Sequence, residues 1–113
     1  MAINYKNQGY DLATTALTTV LTISASTVAI IKEIAVTNDD NSAHKVDYFF
    51  TDVSTSTSYK FYHTNVPADS HDNAVHNALI LEEGDYLQFQ ADTSNVISGQ
   101  ISYALLSRTG ENG

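Results

Sequence analysis

The sequence predicts an all-β protein: a single antiparallel β-sandwich or jelly-roll-like domain of about seven or eight strands. Three observations carry that expectation. Apolar residues recur with a period of two rather than at helical spacing. The alternating runs are short and follow one another at roughly 8–12 residues. Ser, Thr, Asn and Asp fill the gaps between them, and those side chains tolerate turn geometry and compete for backbone hydrogen bonds. A chain of 113 residues fits one domain with one core, so residues 1–113 are read as a single unit.

The start, "MAINYKNQGYDL", has no basic segment leading into an apolar run, so a cleavable leader is not expected. Residues 1–11 read instead as a candidate extended arm. The first strand is expected in "ALTTVLTI", ending at the Ser24–Thr27 turn. "STVAIIKEIAV" follows as a central strand. Strict alternation puts Val28, Ile30, Ile34 and Val36 on one, inward face, with Lys32 among them, and Ala29, Ile31, Glu33 and Ala35 on the other. The polar "TNDDNSA" then reads as a hairpin turn into "HKVDYFFTD", where Val46, Tyr48 and Phe50 share a face.

"SYKFYHT" continues the pattern after a Ser/Thr-rich turn. "HDNAVHNAL" reads as loop with a turn of helix at most, because Asn73 and Asn77 are poor helix formers and the run is short. "ALILE" and "YLQFQA" read as a hairpin about Glu83–Gly84. "GQISYALLS" closes the domain, with Ile101, Tyr103 and Leu105 alternating with Gln100, Ser102 and Ala104. Residues 108–113 form a polar tail expected to fray.

Composition narrows the function classes. The formal net charge is -8, and with few Lys or Arg the phosphate contacts that dominate nucleic-acid affinity have little to make them. Nucleic acid and anionic membrane are therefore not expected partners, and no run approaches the roughly 18 apolar residues of a membrane span. There are 0 Cys, which removes disulfides, thiolate nucleophiles and Cys-based zinc sites. Charged residues make up 16% of the chain against the roughly 25% usual in soluble domains, and hydroxyls and amides take their place. Neutral polar surface of that kind is easier to dehydrate against a partner.

Candidate chemistry concentrates in "HTNVPADSHDNAVH", which gathers His63, Asp69, His71, Asp72 and His76. His63, His71 and His76 are the candidate metal ligands, because imidazoles beside a carboxylate suit zinc and other first-row metals. The five-residue step from His71 to His76 fits neither a helical nor a strand-borne pair, so the spacing favours a solvated loop, and no metal or other cofactor is expected. A pH switch built on the 4 His is a weaker form of the same idea. Asn38–Asn41, "NDDN", lacks the spaced ligands of a calcium loop. Ser70 beside His71 is adjacency without a nucleophile elbow. Glu82, Glu83 and Asp85 could supply a pair of carboxylates for glycoside chemistry, but around Gly84 they read as a hairpin tip. No catalytic residue is assigned, and the chain is not expected to be an enzyme.

The 7 Tyr are the remaining feature. A tyrosine on a strand packs its ring inward and keeps its hydroxyl at the wet edge, and aromatic residues are also enriched in subunit contacts. Tyr5, Tyr10, Tyr48, Tyr59, Tyr62 and Tyr86 are the interface candidates.

Taken together, "LTISASTVAIIKEIAVTNDDNSAHKVDYFFTD", "TNVPAD", "LILEEGDYLQFQAD" and "GQISYALLS" resemble the small β-sandwich structural proteins of tailed bacteriophage particles, capsid decoration (cement) proteins and neck or tail accessory proteins among them. The likeness runs over roughly residues 15–107. It implies a non-enzymatic homo-oligomer, a trimer or dimer, fastened to the phage major capsid protein or another virion protein, most simply on the capsid surface. The arm at residues 1–11 would then reach onto a neighbour. A neck or tail position, or a glycan- or receptor-binding tail module built on the Tyr-rich strands, are the alternatives. A cupin-like metal enzyme on His63, His71 and His76 is a further one.

Overall fold

In the computed structural model, which describes residues 2–75 and 78–107, the chain is a two-layer sandwich of nine strands. They are β1 (Ala2–Leu12), β2 (Thr18–Thr22), β3 (Thr27–Asn38), β4 (His44–Asp52), β5 (Thr57–Val66), β6 (Ser70–Asn73), β7 (Leu79–Leu81), β8 (Tyr86–Ala91) and β9 (Ile97–Ser107). One sheet, here the long sheet, has the order β1-β9-β3-β6, with β7 also on β3; the other, the short sheet, has the order β2-β8-β4-β5. Every pairing is antiparallel. β6 and β7 lie end to end along β3, opposite Ala35–Asn38 and Ala29–Ile31. Counted as one interrupted strand, they make eight.

The sandwich forms because alternation gives each sheet one apolar face. Leu12, Ile31, Ile34, Val36, Leu81, Ile97 and Ile101 of the long sheet, all fully buried, close on Val46, Tyr48, Leu87 and Phe89 of the short one. Each such side chain contributes about 1.5–3 kcal/mol. Phe89 is the centre of the aromatic part, edge-on to Tyr48 at 4.9 Å and to Tyr10 at 5.1 Å.

The register of β3 differs from strict alternation. Ile31 pairs with Tyr103 and Glu33 with the next residue of β9, Ser102, so Lys32 is an extra residue, a β-bulge. The bulge resets the phase: Ala29 and Ile31 point inward before it, Ile34, Val36 and Asn38 after it. Ile34 and Val36 are therefore core residues as expected, whereas Val28 and Ile30 lie on the outer face and Ala29 and Ile31 take the inner one.

Three further expectations are corrected. The segment 1–11 is not a free arm in this chain: β1 pairs along its whole length with β9 and forms the outer edge of the long sheet. The two connections read as hairpins, after β3 and after β7, carry the chain from one sheet to the other. Alternation marks which face of a strand is buried; it does not say whether two such strands pair sideways or face each other across the core. Part of the expected loop "HDNAVHNAL" is strand β6, and no helix occurs among the described residues. Residues 108–113, the expected tail, lie outside them.

Candidate functional surfaces

The sandwich is filled with side chains, so the places where chemistry could occur are its corners and outer faces. Where β7 passes to β8, the Glu82–Asp85 turn is held by its own carboxylates. Asp85 Oδ1 accepts from Val53 N at 3.1 Å and Oδ2 from Glu82 N at 2.9 Å, and Glu83 Oε2 accepts from Ser26 N at 2.8 Å. Gly84, at φ 85°, supplies the left-handed residue and donates to Ile23 O at 2.8 Å. Asp52, Glu82 and Asp85 each bring one oxygen within 4.8 Å of the others. Of the carboxylates that might have formed a glycoside pair, Asp85 and Glu83 are thus engaged with backbone N–H groups.

The histidine-rich stretch separates. His63 pairs with Asp47 on the outer face of the short sheet, and His71 pairs with Thr37 on the outer face of the long sheet. The two imidazoles therefore project from opposite sides of the molecule; His76 lies outside the described residues. Asp72, between them in sequence, turns inward and joins the sheets by accepting from Thr64 Oγ1 at 2.7 Å and Tyr62 Oη at 3.3 Å.

A different histidine makes the most concentrated electrostatic contact, one the sequence did not single out. His44 opens β4 with Nε2 2.6 Å from Asp40 Oδ2 and Nδ1 2.9 Å from Asp92 Oδ1; Thr93 Oγ1 is 3.0 Å from Nδ1. With a carboxylate at each ring nitrogen the imidazolium donates to both. The hydrogen bond to Asp40 is the chief cause that raises its pKa, and partial burial opposes it. The same bond holds the Asp40 carboxyl below its ordinary value. Burial pushes Asp92 up, but the Lys45 N–H, Thr93 and His44 together bring it lower. The contact ties the β3–β4 connection to the β8–β9 connection. Asp40 four residues before His44 was visible in the sequence; Asp92 was not.

The "NDDN" turn has a structural centre in buried Asn38. Its Nδ2 donates to the carbonyls of Ser42 at 2.8 Å, Val66 at 3.0 Å and Pro67 at 3.2 Å, and its Oδ1 accepts from Asp40 N at 3.0 Å.

The tyrosines divide by depth. Tyr48 is fully buried, and Tyr10 is buried with its hydroxyl donating to Ala35 O at 2.7 Å across Gly99 of the intervening strand. Burial pushes both phenols up. Tyr62 and Tyr86 are half-buried. Tyr59 is 48% exposed and stacked on Phe50 at 5.3 Å; Tyr5 is 79% exposed. Of the six candidates, Tyr5 and Tyr59 are thus the ones set out on the surface. Open depressions are shallow: one of about 450 Å³ lies over Thr15, Lys45, Asp47, Gln90, Ala91 and Asp92.

These features define the class of protein as a filled, two-sheet antiparallel β-sandwich whose polar clusters brace its corners. No protein-family model and no curated protein sequence matches the chain. Solved structures with the same fold do. A chain from the acid-stable capsid structure of Helicobacter pylori bacteriophage KHP30 superposes with a TM-score of 0.60 at 8% identity, over 96% of this chain and 90% of that one. A chain from the Bacillus endospore appendages, a family of disulfide-linked pili, superposes with a TM-score of 0.52 at 11% identity, over 92% and 84%. At these identities the likeness is one of fold.

Proposed function

We propose that this chain is a non-enzymatic structural subunit of a phage particle, acting as a capsid decoration protein that stabilises the lattice of the major capsid protein. The observation that carries the reading is the match of nearly the whole chain, 96%, to a chain of a phage capsid structure. The character of the surface supports it. At the β7–β8 corner the carboxylates of Asp85 and Glu83 bind backbone, and His63 and His71 point apart. The outer faces carry hydroxyls, amides and aromatic rings suited to broad contact. β1 presents an eleven-residue edge with a single Lys and no Pro to guard it, so backbone groups are available for contact with a neighbour.

The test is compositional and positional. Gradient-purified particles of the phage encoding the chain are expected to contain it at a copy number fixed relative to the major capsid protein, and labelled antibody is expected to decorate the capsid surface. Label confined to the neck or tail refutes the decoration role while keeping a particle role. Absence of the chain from particles overturns both.

A further inference from the structure

The outer face of the long sheet is not uniform. Residues directly opposite in an antiparallel sheet project to the same side, so the registers define rows across it. One row runs Tyr5, Ala104, Ile30, Ile80, with Ala104 buried between its neighbours, and the next runs Ile3, Leu106, Val28. The opposite face of the same strands carries Ala29, Ile31, Leu81 and Tyr103, all in the core, so these two rows face outward. Ile3 is 55% exposed, Tyr5 79% and Ile80 53%. Beyond the bulge the same face turns polar, with Asn7, Ser102 and Glu33 in the adjoining row.

The six larger apolar side chains together present on the order of 500 Å², at the upper end of what a monomer exposes. A stable interface buries roughly 800 Å² per partner, so polar residues at the rim must supply the remainder. Neither row contains a charge. At the rim, the bulge sets exposed Lys32 and Glu33 side by side.

We infer that this apolar end of the long sheet is a two-fold interface between copies of this chain, with Lys32 of one copy meeting Glu33 of the other. One feature selects a second copy as the occupant: adjacent opposite charges at the edge of an apolar patch are self-complementary under a two-fold rotation, so the Lys32–Glu33 contact adds attraction against the general repulsion of two chains of net charge -8. The inference stands on sheet register and surface chemistry and does not require the particle assignment.

Sedimentation velocity over a concentration series of the purified full chain tests it. The expected result is a dimer whose dissociation constant rises about 30-fold or more in Ile80→Asp, as for removal of a central contact. His63→Asp, on the outer face of the other sheet, is expected to leave the dimer unchanged. Far-UV circular dichroism of Ile80→Asp should match the parent, since Ile80 is outside the core. Lys32→Glu and Glu33→Lys should each weaken the dimer, and the double exchange should restore it. A monomer at every concentration, a trimer, a dimer indifferent to Ile80→Asp, or a double exchange no tighter than the single ones overturns the inference. A dimer found for a chain absent from particles would sink only the functional reading; a monomer found on particles would sink only this one.

Discussion

Deleting Lys32 is expected to leave the fold intact, although the residue sits in the middle of the twelve-residue central strand β3. In the observed register Ile31 and Glu33 face consecutive residues of β9, so removing Lys32 converts the bulge into regular pairing. Ala29 and Ile31 stay inward, Glu33 outward, and Ile34 and Val36 inward. No buried side chain changes sides, and the expected change in stability is within about 1 kcal/mol, the range of substitutions away from core and network features. Deleting Ala35, three residues on, has no such escape. Either Val36 and Asn38 rotate out of the core, or regular pairing is restored from the other side by turning Glu33 inward and Ile34 outward. The second course forfeits about 2–3 kcal/mol of Ile34 burial and adds several kcal/mol for an unpaired carboxylate. That sum rivals the whole stability of a domain, about 5–15 kcal/mol, and the deletion is expected not to fold. Urea denaturation followed by far-UV circular dichroism, suited to a chain with 0 Trp, compares the two. A Lys32 deletion that unfolds or loses more than about 2 kcal/mol, or an Ala35 deletion as stable as it, refutes the bulge as the phase-setting element.

Three further outcomes follow from the same structure. Gly99→Ala is expected to destabilise by more than about 3 kcal/mol in urea titration, because a Cβ there would overlap the Ala35 carbonyl and crowd the Tyr10 hydroxyl at 2.8 Å. Tyr48→Phe is expected to be neutral or to stabilise by about 1 kcal/mol, since the buried Tyr48 hydroxyl has no hydrogen-bond partner among the described residues and its removal leaves no desolvated group unpaired; a loss above about 1 kcal/mol contradicts this. The His44 contact predicts a bell-shaped dependence of melting temperature on pH. His44, raised in the fold, contributes fully below its unfolded value of about 6.5 and loses that contribution as pH climbs through its folded value; Asp40 and Asp92, lowered in the fold, contribute fully above about 3.8 and lose it as pH falls. His44→Gln should remove the decline on the alkaline side, and an unchanged decline shows that other groups cause it.

How much of this was legible in the sequence depended on how local its cause is. β4 and β8 fall on the residues alternation indicated, because each strand has one apolar face and a polar interruption at each end. The faces of β3 before the bulge differ from strict alternation, since Lys32 and Glu33 both suit an exposed position and nothing in the residue types reports that one of them is extra. β1 carries "NYKNQG", with no apolar period, and is a strand because β9 offers it a partner along its length. β6, "SHDN", is likewise polar and is held by β3 and by Asp72 reaching Thr64 and Tyr62. That His63 and His71 project from opposite faces is not legible in the sequence, because it depends on which sheet each strand joins. The His44 contact is not legible in the sequence because its second carboxylate, Asp92, is 48 residues away.

The bulge also connects the interior of the molecule to its surface. β3 holds Ile30, Ile31 and Ile34, and with strict pairing Ile31 and Ile34 cannot both face inward. One added residue lets both enter the core, and the same reset leaves Ile30 on the outside beside Ala104 and Ile80. Apart from Ala104, which is buried, the apolar rows on the outer face are therefore formed by residues left out of the core, and the Lys32–Glu33 rim does not carry the packing that holds the sheets together. Substitutions at Tyr5, Ile80 or Glu33 should act on association alone, while those at Ile34, Gly99 or Asn38 should act on folding. With this separation, surface contacts can be strengthened, weakened or re-aimed without disturbing the sandwich that presents them.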